Sequence, residues 1–343
     1  MTKKNVVIAG ATGAVGQEMI NCLHLTKFPV KKLRLLASER SAGKSVKTPF
    51  GVIKIEPMSE KAFKESDIAL FSCGSDLSKE WRERVTKNGC LMIDNSSAFR
   101  YEKNVPLVIP QINPKAAFKH KGVISNPNCT TAILAVALWP LYKKFGLKKV
   151  IVSTYQATSG AGAKGMTELI EQTGAVLKKS RGDIDRLLKI REKGTIFAHQ
   201  IAFNIIPHID SFQENLYTKE EMKVTWETHK IFGDNKILVS CTAVRIPTLR
   251  AHSESVTIET VKKIDVKSAR AVLKNSPGVK LVDDPKKFMY PMPVNASGNF
   301  DVEAGRIRQS LVFGDHGLDF FVSGDQLLRG AALNAVEIAK LFV

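Results

Sequence analysis

A short β-branched run, Asn5-Val6-Val7-Ile8-Ala9, stops at Gly10 and gives way to Gly10-Ala11-Thr12-Gly13-Ala14-Val15-Gly16, after which Val15, Met19, Ile20 and Leu23 recur at helical spacing. Strand, glycine-rich turn and helix in that order open a βαβ unit. The glycines permit a tight turn and close backbone approach, and the helix N-terminus offers free N–H donors and partial positive charge, so the turn suits a pyrophosphate. The spacing is GxxGxxG rather than GxGxxG, so its meaning rests on its position between the first strand and the first helix. Further apolar runs at 33–37, 68–72, 91–94 and 107–110 alternate with helical stretches. This predicts an α/β fold with a Rossmann-like parallel sheet.

Past residue 128 the pattern changes. The apolar stretch TTAILAVAL at 130–138 follows Pro127-Asn128 and predicts a helix starting at Thr130 or Thr131. Segments 149–155, 236–245 and 255–261 alternate like strands, and 166–191 reads as one or two amphipathic helices broken at Gly182. These predict an α+β domain on a mixed sheet. The strong helical pattern at 327–342 is expected to return to the first domain, which gives limits of 1–128 plus 325–343 for one domain and 129–324 for the other. A length of 343 residues suits two domains.

Composition narrows the function. The formal charge is +18, but the lysines are scattered as pairs such as Lys3-Lys4, Lys148-Lys149 and Lys262-Lys263, without interleaved aromatics. That reads as a solvated surface rather than a nucleic-acid interface. The longest apolar stretch, 132–138, is far short of the roughly 20 residues a bilayer requires, and no signal-peptide core follows the basic start. The five cysteines, Cys22, Cys73, Cys90, Cys129 and Cys241, form no CxxC pair. A cytoplasmic chain with no disulfide framework is expected. His24, His120, His199, His208 and His229 show no metal-ligand spacing, so no metal is expected.

Two segments carry chemistry. At the end of the second strand, Ser38, Arg40 and Ser41 suit the 2′-phosphate of NADP, while Glu39 is the dissenting residue, expected to point outward to solvent. In Asn126-Pro127-Asn128-Cys129-Thr130 a cysteine stands at the mouth of a helix. Bringing a thiol from about 8.5 to about 6.5 needs roughly 2.7 kcal/mol. A helix N-terminus supplies about 0.3–1 kcal/mol, so a histidine or another cation must add the remainder. The plainer reading, a buried core cysteine, suits the other four better than Cys129.

Together, GATGAVG (10–16), ASERSAG (37–43), DNSSAFR (94–100), NPNCT (126–130), TYQATSGAG (154–162), YTKEEMK (217–223), RIP (245–247), AHSE (251–254) and DQLLRGAALNA (325–335) resemble the aspartate-β-semialdehyde dehydrogenase family. The resemblance runs from Val6 to about Ala339. It implies a homodimer that uses NADPH to convert L-aspartyl-4-phosphate to L-aspartate-4-semialdehyde and phosphate, on the route to lysine, threonine and methionine. Cys129 is then the nucleophile that forms a thioester. His252 is the implied acid–base residue, with a pKa near 6.5 suiting both directions of transfer. Gln156 is implied to orient the acyl intermediate, Arg245 to clamp the α-carboxylate and Glu220 to face the α-ammonium. Arg100 and Lys223 are implied to hold the phosphoryl group, with Asn128 beside the nucleophile. Ser159, Gly160 and Gln326 are implied to add cofactor contacts to those of Gly10, Thr12, Gly13, Ala14, Val15, Gly16, Ser38, Arg40 and Ser41. Gln326 departs from the family's more usual asparagine.

Two other readings are weaker. The sister family, N-acetyl-γ-glutamyl-phosphate reductase, usually has glycine before its cysteine and tyrosine after it, where this chain has Asn128 and Thr130. A non-catalytic basic binding protein has no need to retain Cys129, Gln156, Arg245 and His252 together.

Overall fold

The computed structural model describes residues 2–343. It divides into two compact units, the first running up to Trp139 and including Glu227–Asn235 and Leu327–Val343, the second comprising Pro140–Trp226 and Lys236–Gln326. The first division falls inside the helix Cys129–Phe145, at Pro140.

The first unit is built on β1 (Lys4–Ala9), β2 (Val30–Ala37), β3 (Ser45–Thr48), β4 (Gly51–Pro57), β5 (Ile68–Phe71), β6 (Leu91–Asp94) and β7 (Val123–Ser125). They form a seven-stranded sheet in the order β3-β4-β2-β1-β5-β6-β7. All pairings are parallel except β3–β4. Every residue of β5 and β6 is buried, as expected where both faces of a parallel sheet are covered. Strand order reverses at β1, so the crevice beyond its C-terminal end is the natural ligand site of such a sheet.

The antiparallel β3–β4 hairpin was not anticipated from the sequence, and the strand expected at 107–110 is reduced to a single bridge, Leu107 to Ser125. Pro106 and Pro110 flank that run and remove two backbone donors, and the three residues of β7 take the edge position instead. The C-terminal segment opens with a π-helical turn, Leu328–Ala332, and continues as the helix Leu333–Lys340. Both pack on the helix Ala14–Leu25.

The second unit carries β8 (Lys149–Gln156), β9 (Leu238–Arg245), β10 (His252–Glu259), β11 (Val279–Leu281), β12 (Val302–Gln309) and β13 (Gly317–Gly324). Their order is β11-β12-β13-β10-β8-β9, a mixed sheet. The helical stretch is two helices, Gly162–Ser180 and Ile184–Lys189, parted by Arg181 and Gly182 at positive φ. Parallel pairing of β8 with β9 sets Gln156 opposite Arg245, and antiparallel pairing with β10 sets Ser253 opposite Tyr155. The sheet therefore delivers Gln156, Arg245 and His252 to one edge of three neighbouring strands. Among the described residues no helix is long and apolar enough to cross a membrane, and no group of His, Cys, Asp and Glu is arranged to hold a metal.

Candidate active site

Cys129 is the first residue of the helix Cys129–Phe145. Asn128 caps that helix: its Oδ1 accepts from the N–H groups of Thr130 (3.0 Å) and Thr131 (3.2 Å). These are the second and third helical positions, the usual reach of an N-cap side chain. The helix consequently begins one or two residues earlier than expected, and the thiol sits at its positive end. Asn128 holds the helix that Cys129 begins, where the resemblance had placed it only beside the cysteine.

Arg100 lies beneath this turn. Its Nε donates to Asn126 O (2.9 Å), its Nη2 to Asn95 O (2.7 Å) and its Nη1 to Glu227 Oε1 (3.1 Å). Burial opposes the charge of Arg100, but Glu227, Tyr101 and the Cys129 sulfur outweigh it and hold the guanidinium pKa above its ordinary value. Arg100 is thus the cation whose field reaches Cys129. The C-terminal segment completes the seat. Asn334 Nδ2 donates to Asn126 Oδ1 (2.6 Å) and to Val108 O (2.9 Å). A Cβ on Gly330 would lie 2.6 Å from Cys129 Cβ, so only glycine fits there.

In the second unit His252 is fully buried, and its Nδ1 accepts from the Ala157 N–H at 3.0 Å. That bond places the ring proton on Nε2, which has no hydrogen-bond partner. Burial, with the Arg245 cation second, pushes the His252 pKa down to about 3. This corrects the expectation of a value near 6.5: the imidazole is neutral at pH 7 and is not a cation that could ionise a thiol. Arg245 Nη1 donates to Ala157 O (2.7 Å), and its guanidinium lies 5.6 Å from the Phe197 ring centre. Gly160 is packed beneath both groups. A Cβ there would stand 2.8 Å from Arg245 Nη1 and 3.3 Å from His252 Nε2.

Gln156 Nε2 donates to Glu220 Oε1 (3.1 Å), and Lys223 Nζ donates to Glu220 Oε2 (3.0 Å) and to Asp210 Oδ2 (2.7 Å). Burial opposes the charge on Lys223, but the two carboxylates outweigh it and raise the ammonium pKa. Gln326 Oε1 accepts from the Ala251 N–H (2.8 Å) and its Nε2 donates to Ser159 Oγ. Ala251 has φ +67°, a left-handed conformation costly for a residue with a Cβ. Gln326 thus anchors the strained residue that precedes His252.

The first unit also holds a cavity of about 500 Å³ lined by Gly10, Thr12, Gly13, Ala37, Ser38 and Glu39, among others. Gly10 has φ +84°, and a Cβ on it would lie 2.4 Å from Ser72 O. Gly13 caps the helix Ala14–Leu25 without any side-chain bond, and the first turn carries no acidic residue. Ala14, Val15 and Gly16 form that first turn, whose free N–H groups and positive end fit the pyrophosphate of a dinucleotide. Glu39 begins a short 3₁₀ turn, Glu39–Ser41, at the cavity edge, where it lines the cavity and is exposed to solvent. Arg40 and Ser41 belong to the same turn and are not among the lining residues.

Glu227, Gly330 and Asn334 were missed from the sequence. One signal was available: Glu220, Lys223 and Glu227 follow one another at i, i+3 and i+7, which sets three charges on one helical face.

Comparison with known proteins first defines a class. The family model of the semialdehyde dehydrogenase NAD binding domain matches residues 5–120, and that of the semialdehyde dehydrogenase dimerisation domain matches 138–329. Full-length relatives then narrow it. The aspartate-semialdehyde dehydrogenase of Aquifex aeolicus is 49% identical over 98% of this chain and 97% of its own. That of Synechocystis is 46% identical, with the same coverage of both chains. The crystal structure of aspartate semialdehyde dehydrogenase II from Vibrio cholerae, complexed with ASA, superposes with a TM-score of 0.93 at 40% identity, covering 100% of this chain and 98% of that one. The chain belongs to the aspartate-semialdehyde dehydrogenase family.

Proposed function

We propose that this protein reduces L-aspartyl-4-phosphate to L-aspartate-4-semialdehyde and phosphate with NADPH, through a thioester on Cys129. The observation that carries this reading is a cysteine at the first position of an Asn128-capped helix, within the field of Arg100. The Cys129 sulfur attacks the acyl carbon, the carbon–oxygen bond to phosphate breaks, and the thiol proton leaves with the phosphate. Arg100 and Lys223 hold the phosphoryl group. Arg245 holds the α-carboxylate through its guanidinium fork, Glu220 faces the α-ammonium and Gln156 orients the acyl group. NADPH, when bound, supplies the hydride that reduces the thioester. His252 donates its unpartnered Nε2–H to the oxygen that becomes negative at that step and moves the proton as the carbon–sulfur bond breaks. An α-carboxylate on Arg245 cancels part of the charge that keeps His252 neutral, so a bound ligand moves the imidazole toward the range useful for proton transfer.

Cofactor binding rests mainly on residues 1–128 and 325–343, catalysis and dimerisation mainly on 129–324. The protein works as a homodimer in the cytoplasm. Gly10, Thr12, Gly13, Ala14, Val15 and Gly16 hold the pyrophosphate, and Ser38, Arg40 and Ser41 the 2′-phosphate, with further contacts from Ser159, Gly160 and Gln326.

Phosphate-dependent reduction of NADP⁺ by aspartate semialdehyde tests the reading. Cys129→Ser lowers its rate on the order of 10⁴-fold or more, and turnover that survives in the serine variant rejects the thioester. Equal kcat/KM with NAD⁺ removes Arg40 from the role assigned to it.

A further inference from the structure

Glu227 has no place in the reaction as described so far, yet its carboxylate is fully buried. Its Oε1 accepts from Arg100 Nη1 (3.1 Å) and Tyr101 Oη (3.3 Å), and its Oε2 accepts from the backbone N–H of Asn128 at 2.6 Å. One side chain thus joins the buried cation to the peptide immediately before the nucleophile. Lys230, three residues further along the same helix, donates to the carbonyls of Arg100 (2.7 Å), Glu102 (2.8 Å) and Val105 (2.9 Å). The helix therefore grips Arg100 by its guanidinium and by its main chain. Burying an ion pair costs several kcal/mol per charge, and well-packed apolar residues often serve stability as well or better. What an apolar pair cannot reproduce is the fixed direction of the guanidinium. Of its five N–H groups three are bonded, one each to Asn126, Glu227 and Asn95. One Nη1–H and one Nη2–H are not used in these bonds, so the guanidinium keeps donors for an anion.

We propose that Glu227 is a positioning residue for the acyl-transfer step: it holds Arg100 in register with the Cys129 helix and balances the charge that the sulfur senses. This rests on the reading of Cys129 as nucleophile and Arg100 as phosphoryl holder. Two properties are separable, the reach of the carboxylate and its charge. Glu227→Asp keeps the charge and shortens the side chain by one methylene, so it cannot span both partners. Glu227→Gln keeps the length and removes the charge.

Both variants are assayed in the full-length protein for phosphate-dependent NADP⁺ reduction and for alkylation by iodoacetamide from pH 6 to pH 10. The reagent reports on Cys129, because Cys22, Cys90 and Cys241 are buried and burial pushes the Cys73 and Cys90 thiols up to about 12. Glu227→Asp lowers kcat about tenfold or more, with the KM for aspartate semialdehyde and the alkylation profile unchanged. Glu227→Gln raises the alkylation rate at pH 7 roughly three- to tenfold, and the ratio to wild type falls to one by pH 10, where the thiol is ionised in both. Loosened structure alone gives the same ratio at every pH, and that result overturns the proposal. So does wild-type kcat in Glu227→Asp. If Cys129→Ser retains turnover, the reaction itself has been misread, whatever the Glu227 variants do.

Discussion

The surroundings of Cys129 and those of His252 are built on opposite terms. At Cys129 the cation is tied to two backbone carbonyls and a carboxylate, and the helix end is closed by Asn128. At His252 one ring nitrogen is tied and the other, fully buried, points at nothing that can bond it. A buried polar N–H without a partner costs about 1–3 kcal/mol, and unsatisfied groups of this kind cluster where function maintains them. The first cluster is held by its own bonds, whereas the second keeps one donor unspent.

The largest expected effect breaks the second cluster. His252→Asn keeps an oxygen able to accept from the Ala157 N–H and deletes Nε2. We expect kcat to fall about 10²–10⁴-fold, with the KM for aspartate semialdehyde within about threefold, by steady-state kinetics. A loss confined to KM places His252 in binding instead.

The same residue sharpens the comparison through pH. The folded value of about 3 lies below the ordinary 6.5, so between these limits the unfolded chain binds a proton that the folded chain refuses. Stability from this group is complete above pH 6.5 and is lost as the pH falls toward 3, by about 5 kcal/mol at most. Urea unfolding followed from pH 7 to pH 4 shows the slope in wild type, and His252→Asn flattens it. Glu254, two residues along β10 and fully buried, has a pKa raised by burial, so its contribution runs the other way and fades as pH rises. The histidine slope is therefore read as the difference between the two proteins.

The smallest effect comes from Gly160→Ala. The new Cβ stands 2.8 Å from Arg245 Nη1 and must displace the guanidinium or the turn. We expect about 1–2 kcal/mol of lost stability by thermal unfolding and a several-fold rise in the KM for aspartate semialdehyde. Wild-type kinetics in this variant show that the contact is not needed for binding.

The parts of the molecule legible in the sequence are those with a local signature. The strand, glycine turn and helix at 4–25 are visible because each piece carries its own periodicity. Cys129 is legible because Pro127 and Asn128 mark a helix start. The edge strand Val123–Ser125 is too short to show a period, and the proline-flanked run at 107–110 mimics the strand it replaces. His252 begins a strand only because Gln326 holds Ala251 in a left-handed turn, a contact across 75 positions that no local window contains. The depressed pKa of His252 is invisible for the same reason, since burial is a property of the packed unit. Glu227 stood in a helical charge pattern that reads equally well as a solvated face.

Gly330 has a consequence in time. The backing of Cys129 comes from a segment far along the chain, with Asn126 bonded to the Gly330 carbonyl 204 positions away. During synthesis the thiol leaves the ribosome long before the residues that seat it. A ribosome-bound chain halted short of Gly330 carries that cysteine without its enclosure, so the seat is completed in one late step rather than growing with length.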